Sequence, residues 1–160
     1  MERNRDLDKK QILVVEDDFV LAREICTELE AHGAAIIGPA PTVHYARLII
    51  GKRRLDGAVL DIKLFGEYVY DLADDLQRDG IPMLFTTAYR NEQIAARYRS
   101  ADTLQKPIDL NKLVDRVSAF KRPRGAEPRN RSAGQQASLP HDALFDKWSR
   151  ALARSMRERD

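Results

Sequence analysis

Cysteine is nearly missing from this chain. Cys26 is the only one in 160 residues, so no internal disulfide can form, and a reducing cytoplasmic compartment suits the sequence. Long apolar runs are missing too: Met1–Lys10 is polar and charged, which predicts neither a secretion signal nor a membrane span. The three histidines, His32, His44 and His141, share no ligand-like spacing and argue against a metal centre built on imidazole. A strong charge of one sign is also lacking. The net charge is +2, although residues 121–160 hold ten of the 27 basic and only five of the 25 acidic side chains. That local excess is too weak to predict nucleic-acid binding. No solenoid-type repeat is present.

What is present is an alternation of short apolar runs with amphipathic stretches, repeated five times before about residue 120. Ile12–Val15 reads as a strand buried on both faces. A helix follows over about Phe19–His32, with Leu21, Ile25 and Leu29 on one side and Gly33 as its stop. Ala34–Ile37 is the second strand, and the Pro39 and Pro41 pair reads as a turn. Thr42 caps a helix that buries Val43, Ala46, Ile49 and Ile50 and closes at Gly51. Ala58–Leu60 is the third strand, followed by a Gly66 loop and a helix carrying Val69, Leu72, Ala73 and Leu76. Ile81–Thr86 is the fourth strand, and a weaker helix is expected over about Asn91–Arg99. Thr103–Gln105 is the fifth strand, and Asp109 caps a last helix with Leu110, Leu113, Val114, Val117 and Phe120 inward.

Five such units predict an α/β, flavodoxin-like, doubly wound parallel sheet of strand order 2-1-3-4-5, with any ligand at the carboxyl ends of the strands. The expected domain covers residues 10–120. Residues 121–140, rich in Arg, Pro, Gly, Ser and Gln, read as a flexible linker. Residues 141–160 return to helical spacing, with Leu144, Trp148, Leu152 and Met156 in one stripe. The expectation for that stripe is docking on the preceding domain or pairing with a second copy. A membrane role fits poorly, because its polar face mixes acidic and basic groups.

Chemistry gathers at the predicted strand ends. Glu16, Asp17 and Asp18 follow strand one, Asp61 follows strand three, Thr87 follows strand four, and Lys106-Pro107 follows strand five. Several carboxylates at one edge repel one another and stay ionised only if a cation holds them together. A hard divalent ion, Mg²⁺ or Mn²⁺, suits Asp17, Asp61 and a phosphate oxygen. Asp61 is then the natural nucleophile toward phosphorus, with Lys106 and Thr87 set to meet the phosphoryl oxygens. Taken singly, Asp17 or Asp18 reads as a helix cap and Lys106 as a solvated lysine; the set together favours the chemical reading.

The runs ILVVEDD at 12–18, VLDIKL at 59–64, FTTA at 85–88 and QKP at 105–107 closely resemble the signatures of response-regulator receiver domains. The resemblance implies phosphorylation on Asp61, with Asp17 a direct metal ligand, Glu16 acting through water and the Lys63 carbonyl completing the metal sphere. It implies a switch hydroxyl at Thr87, a phosphate partner at Lys106 and a cis bond to Pro107. Such domains usually carry an aromatic residue three positions before the lysine; this chain has Thr103, and Tyr89 is the candidate replacement. The implied function is that of a phosphoryl acceptor in two-component or phosphorelay signalling, not a turnover enzyme. A sensor histidine kinase or a histidine phosphotransfer protein would feed it, and output would pass to a partner protein or a second copy of the chain. Two other readings compete. A DNA-binding regulator using its basic tail lacks room for a helix-turn-helix after Pro140. A metal-dependent phosphatase of related topology would place its nucleophile after the first strand, whereas here the better candidate follows the third.

Overall fold

The computed structural model describes residues 7–88 and 93–121. Five parallel strands form the main sheet: β1 (Gln11–Val15), β2 (Ala35–Ala40), β3 (Gly57–Asp61), β6 (Met83–Thr87) and β7 (Thr103–Gln105), in the order β2-β1-β3-β6-β7. Counting these five alone, the order is the predicted 2-1-3-4-5. The central strands are apolar on both sides because both faces are covered. The helices α1 (Phe19–Ala31) and α4 (Leu110–Ser118) bury Ile25, Cys26, Leu29, Leu113, Val114 and Val117 against Val14, Val59 and Leu84. On the opposite face, α2 (Val43–Ile50) and α3 (Tyr70–Arg78) bury Ala46, Leu72, Ala73 and Leu76 against Val15, Leu60 and Phe85. Cys26 is fully buried in the first cluster, and burial, then the charge of Glu30, push its thiol well above the ordinary range. It is a packing residue.

Local signals set the helix starts. Asp18, not Asp17, caps α1, its side chain accepting from the amides of Val20 and Leu21 at 3.0 and 3.2 Å. Thr42 and Asp109 cap α2 and α4 in the same way. Asp18→Ala should therefore cost about 1 kcal/mol of stability and leave divalent-ion binding unchanged, which chemical denaturation and titration with Mn²⁺ will check.

Three expectations need correction. First, Pro39 does not end the second strand: β2 runs through Gly38-Pro39 to Ala40, with a register shift opposite Leu13 and Val15. Proline fits because β2 is an edge strand, where one side of the ladder needs no donor. Second, the Gly66 loop holds a hairpin, with β4 (Lys63–Leu64) antiparallel to β5 (Glu67–Tyr68). Phe65 and Gly66 form its turn at φ +47° and +85°, the left-handed values that tight two-residue hairpin turns use. Third, the described part of the expected fourth helix is only a 3-10 turn, Ala96–Tyr98. That stretch offers just Ile94 and Tyr98 as a buried pair, too narrow a stripe to hold an α-helix on the sheet. Instead, Tyr98 donates to Asp74 at 2.5 Å, Arg97 meets the same carboxylate through two bonds of 3.1 Å, and the Ala95 amide donates to the Tyr70 hydroxyl. Side-chain bonds to α3 replace the missing helical contacts. Asn91 and Tyr89, the linker beyond Lys121 and the helix expected over 141–160 lie outside the described residues.

Candidate functional site

At the carboxyl ends of β1 and β3 the chain gathers Glu16, Asp17 and Asp61, with one ligand atom from each lying within 4.8 Å of the others. Two of these carboxylates are almost fully buried, Glu16 at 1% and Asp61 at 5% exposure. Glu16 extends β1, its amide donating to the Ala40 carbonyl at 2.9 Å. Asp61 is the last residue of β3, at the centre of the sheet. Asp17 is more open and accepts from the Phe65 amide at 3.0 Å, so the hairpin turn is tied to the acidic cluster.

Lys106 supplies the counter-charge. It follows β7, where its amide donates to the Thr87 carbonyl at 2.8 Å, and its bond to Pro107 is cis as the resemblance implies. Its Nζ donates to Asp61 Oδ2 at 3.0 Å and to Glu16 Oε1 at 3.1 Å. One ammonium thus serves two buried carboxylates. Burial, reinforced by the negative charge of Asp61, raises the Glu16 carboxyl to about 8, against the opposing Asp18 amide and Lys106. Burial also raises Asp61, opposed by Lys106. Lys106 is raised as well, because Glu16 and Asp61 outweigh the loss of hydration that acts against its charge. A buried pair of carboxylates that shares one cation retains a proton readily.

The donor set fits a hard divalent ion on its own evidence. Glu16 Oε2 is buried without a hydrogen-bond partner, and an unsatisfied carboxylate oxygen beside two others requires a proton, a water or a metal. All three groups are carboxylates, the ligand type that Mg²⁺ takes together with waters and phosphate. Lys63 starts the hairpin, with its ammonium 5.7 Å from the Tyr68 ring centre.

Thr87 ends β6 and is buried at 1% exposure. Thr103 pairs in register with Phe85, two residues before Thr87. The ring beside Phe85 comes from Tyr98, edge-on at 5.1 Å, and Tyr98 stacks in turn on Tyr70 at 5.7 Å. Neither Tyr98 nor its partner Asp74 was singled out by the sequence. The Ile94–Tyr98 spacing marks Tyr98 as buried, but not which ring it meets.

Comparison with known proteins agrees with this architecture. The family described as the response regulator receiver domain matches residues 12–118. The solution structure of SdrG from Sphingomonas melonis Fr1 is similar at 29% identity and a TM-score of 0.62, over 70% of this chain and 96% of that one. The non-phosphorylated HemR receiver domain from Leptospira biflexa is similar at 28% identity and a TM-score of 0.61, over 72% of this chain and 98% of that one. A response regulator from Burkholderia pseudomallei, solved with a phosphorylated aspartic acid, a calcium ion and citrate, shares the fold at 23% identity and a TM-score of 0.60, over 68% and 66% of the two chains. A comparison with curated protein sequences found no match.

Proposed function

This chain belongs to the response regulator receiver domain family, and from that premise we propose that it accepts a phosphoryl group on Asp61 and signals through protein contacts. The observation that carries the reading is a buried carboxylate at the carboxyl end of the central strand, 3.0 Å from the Lys106 ammonium and grouped with two more carboxylates. An Asp61 oxygen bonds to phosphorus as the donor's bond to phosphorus breaks, and the donor departs with its electron pair. Lys106 is within reach of the same group and follows the charge as it moves onto the phosphoryl oxygens. The Thr87 hydroxyl is the candidate to hold one of them. Asp17, Asp61, Glu16 and the Lys63 carbonyl are the residues we assign to Mg²⁺ or Mn²⁺. When bound, such an ion neutralises phosphoryl charge.

The donor class is a phosphohistidine, on a sensor histidine kinase or a histidine phosphotransfer protein. The domain then acts as a stoichiometric acceptor and not as a turnover enzyme. No helix among the described residues is long and apolar enough to cross a membrane; the compartment that goes with such a donor is the cytoplasm. The receiver that goes with this reading spans 10–120, and residues 122–160 lie outside the described residues.

Intact mass after incubation with acetyl phosphate and Mg²⁺ tests the assignment. One phosphoryl group is expected on the wild type and none on Asp61→Ala, while Asp17→Ala should lose the metal dependence. Equal labelling of Asp61→Ala would overturn the site.

A further inference from the structure

Val20, Leu48, Phe65 and Tyr68 are the exposed large apolar side chains among the described residues. Three of the four lie on segments that frame the acidic cluster. Val20 stands in the first turn of α1, three residues after Asp17, while Phe65 and Tyr68 belong to the hairpin that follows Asp61. Tyr68 has partners within the domain: its ring stacks on Tyr70 at 5.4 Å, and the Lys63 ammonium is 5.7 Å from its centre.

Phe65 combines two unfavourable features. Its backbone sits at φ +47°, a left-handed value where bulky residues are rare and where a tight hairpin turn ordinarily takes Asn, Asp or Gly. Its side chain is 44% exposed, so much of its apolar surface stays in water. Asparagine would suit both the turn and the solvent. The turn does not need the ring for its tie to the site, because the bond to Asp17 comes from the Phe65 amide at 3.0 Å, which any residue but proline supplies. A ring kept under these conditions points to a contact outside the isolated domain.

We propose that the Phe65 ring is the contact by which a protein phosphodonor is recognised, seated in an apolar recess beside the donor's phosphohistidine. This rests on Asp61 as the acceptor and a phosphohistidine as the donor. Geometry selects the occupant. Asp61 is only 5% exposed and a histidine side chain is short, so the donor's own backbone must come down onto the rim of the site. Phe65 belongs to that rim, since its amide meets Asp17, whose carboxylate is grouped with those of Asp61 and Glu16. A protein donor therefore covers Phe65 whenever transfer takes place, and the reaction itself brings no other macromolecule there. An aromatic side chain enclosed in an interface contributes more than most of the contacts around it. A small phosphodonor has no surface to enclose the ring and gains nothing from it.

The test compares two donors that carry the same phosphorus–nitrogen bond. Phosphoramidate is the small one. The protein donor is found by autophosphorylating, with ATP, the purified cytoplasmic parts of the histidine kinases encoded in the same genome. The kinase, or the phosphotransfer protein charged by one, that labels wild type fastest is then used. Rates of Asp61 labelling are measured with Mg²⁺ and well below saturation, so that weaker docking reads as a lower rate. For Phe65→Asn, the protein-donor rate divided by the phosphoramidate rate should fall at least about tenfold, the worth of one aromatic anchor. Phe65→Gly, equally at ease in the turn, should fall likewise, and Phe65→Tyr, which keeps the ring, should stay within about threefold of wild type. A change passed through the turn to Asp17 lowers both rates and cancels in the ratio. Ratios for the asparagine and glycine variants within about twofold of wild type, or a tyrosine variant as poor as they are, overturn the proposal. A wild type labelled at Asp61 by phosphoramidate but by no protein donor overturns the donor class, and this inference with it. A wild type that phosphoramidate leaves unlabelled, or labels elsewhere, overturns the acceptor assignment instead.

Discussion

Stripped of divalent ions, the protein should lose stability as pH rises from about 4.5 to about 8, and Mg²⁺ should restore what is lost. The Glu16 carboxyl is raised from its ordinary 4.5 to about 8, by burial first and by the charge of Asp61 second. In the unfolded chain Glu16 gives up its proton near the ordinary value, while in the folded chain it keeps it. Between the two, the folded state holds more protons, so stability falls with increasing pH. The contribution is fully present below 4.5 and gone once pH passes about 8. Its size is on the order of 2 to 4 kcal/mol, a large part of what a domain of this length has to spare. A divalent ion at the cluster replaces the proton, so its binding releases protons across the same window and its affinity rises with pH. Urea denaturation at several pH values, in chelator and in Mg²⁺, reads both effects. Glu16→Gln should make the chelator profile shallower, leaving the part carried by Asp61, whose carboxyl burial also raises. A wild-type profile with the same slope as Glu16→Gln would show that this carboxyl does not carry the dependence.

The same cluster explains why the sequence was informative here. Strand ends are where a parallel sheet presents functional groups, and the strands were legible because both faces are covered and the runs are apolar up to their polar ends, as in Gly57–Asp61 and Met83–Thr87. Once the strands were placed, Asp61, Thr87 and Lys106 followed as positions at their ends. What was hidden depends on pairing in three dimensions. Pro39 reads as a break unless β2 is known to be an edge, and a two-residue strand such as Lys63–Leu64 leaves no periodicity to detect. The 3-10 turn at Ala96–Tyr98 is held by Asp74 and Tyr70, more than twenty residues earlier. That Thr86 stands beside Asp61 is set by the strand register, which no local pattern carries. A linear reading finds which residues reach the edge of the sheet. It does not find which neighbours they are left without.

The edge strand also carries the second large effect: Gly38→Ala should destabilise the protein by about 3 kcal/mol, combining backbone strain and a steric clash, and weaken divalent-ion binding with it. Gly38 sits at φ +114°, in a region that only glycine enters without strain. A Cβ there would lie 2.7 Å from the Val14 carbonyl oxygen and 3.0 Å from the Ala40 amide. Both neighbours are backbone atoms of the sheet, so neither can rotate away, and β2 must shift outward. The shift reaches the site through one bond. The Ala40 carbonyl accepts from the Glu16 amide at 2.9 Å, and that contact fixes where the buried Glu16 carboxyl meets Asp61 and Lys106. Gly66→Ala is the matched control. Gly66 has φ +85°, yet nothing lies within 4 Å of an added Cβ, so only the conformational cost of about 1 kcal/mol remains. Denaturation midpoints and Mn²⁺ titration on both variants separate strain from clash. Should Gly38→Ala lose no more stability than Gly66→Ala, or bind the ion as tightly as wild type, then the contact with Val14 is not what holds β2, and Ala40 is not what positions Glu16.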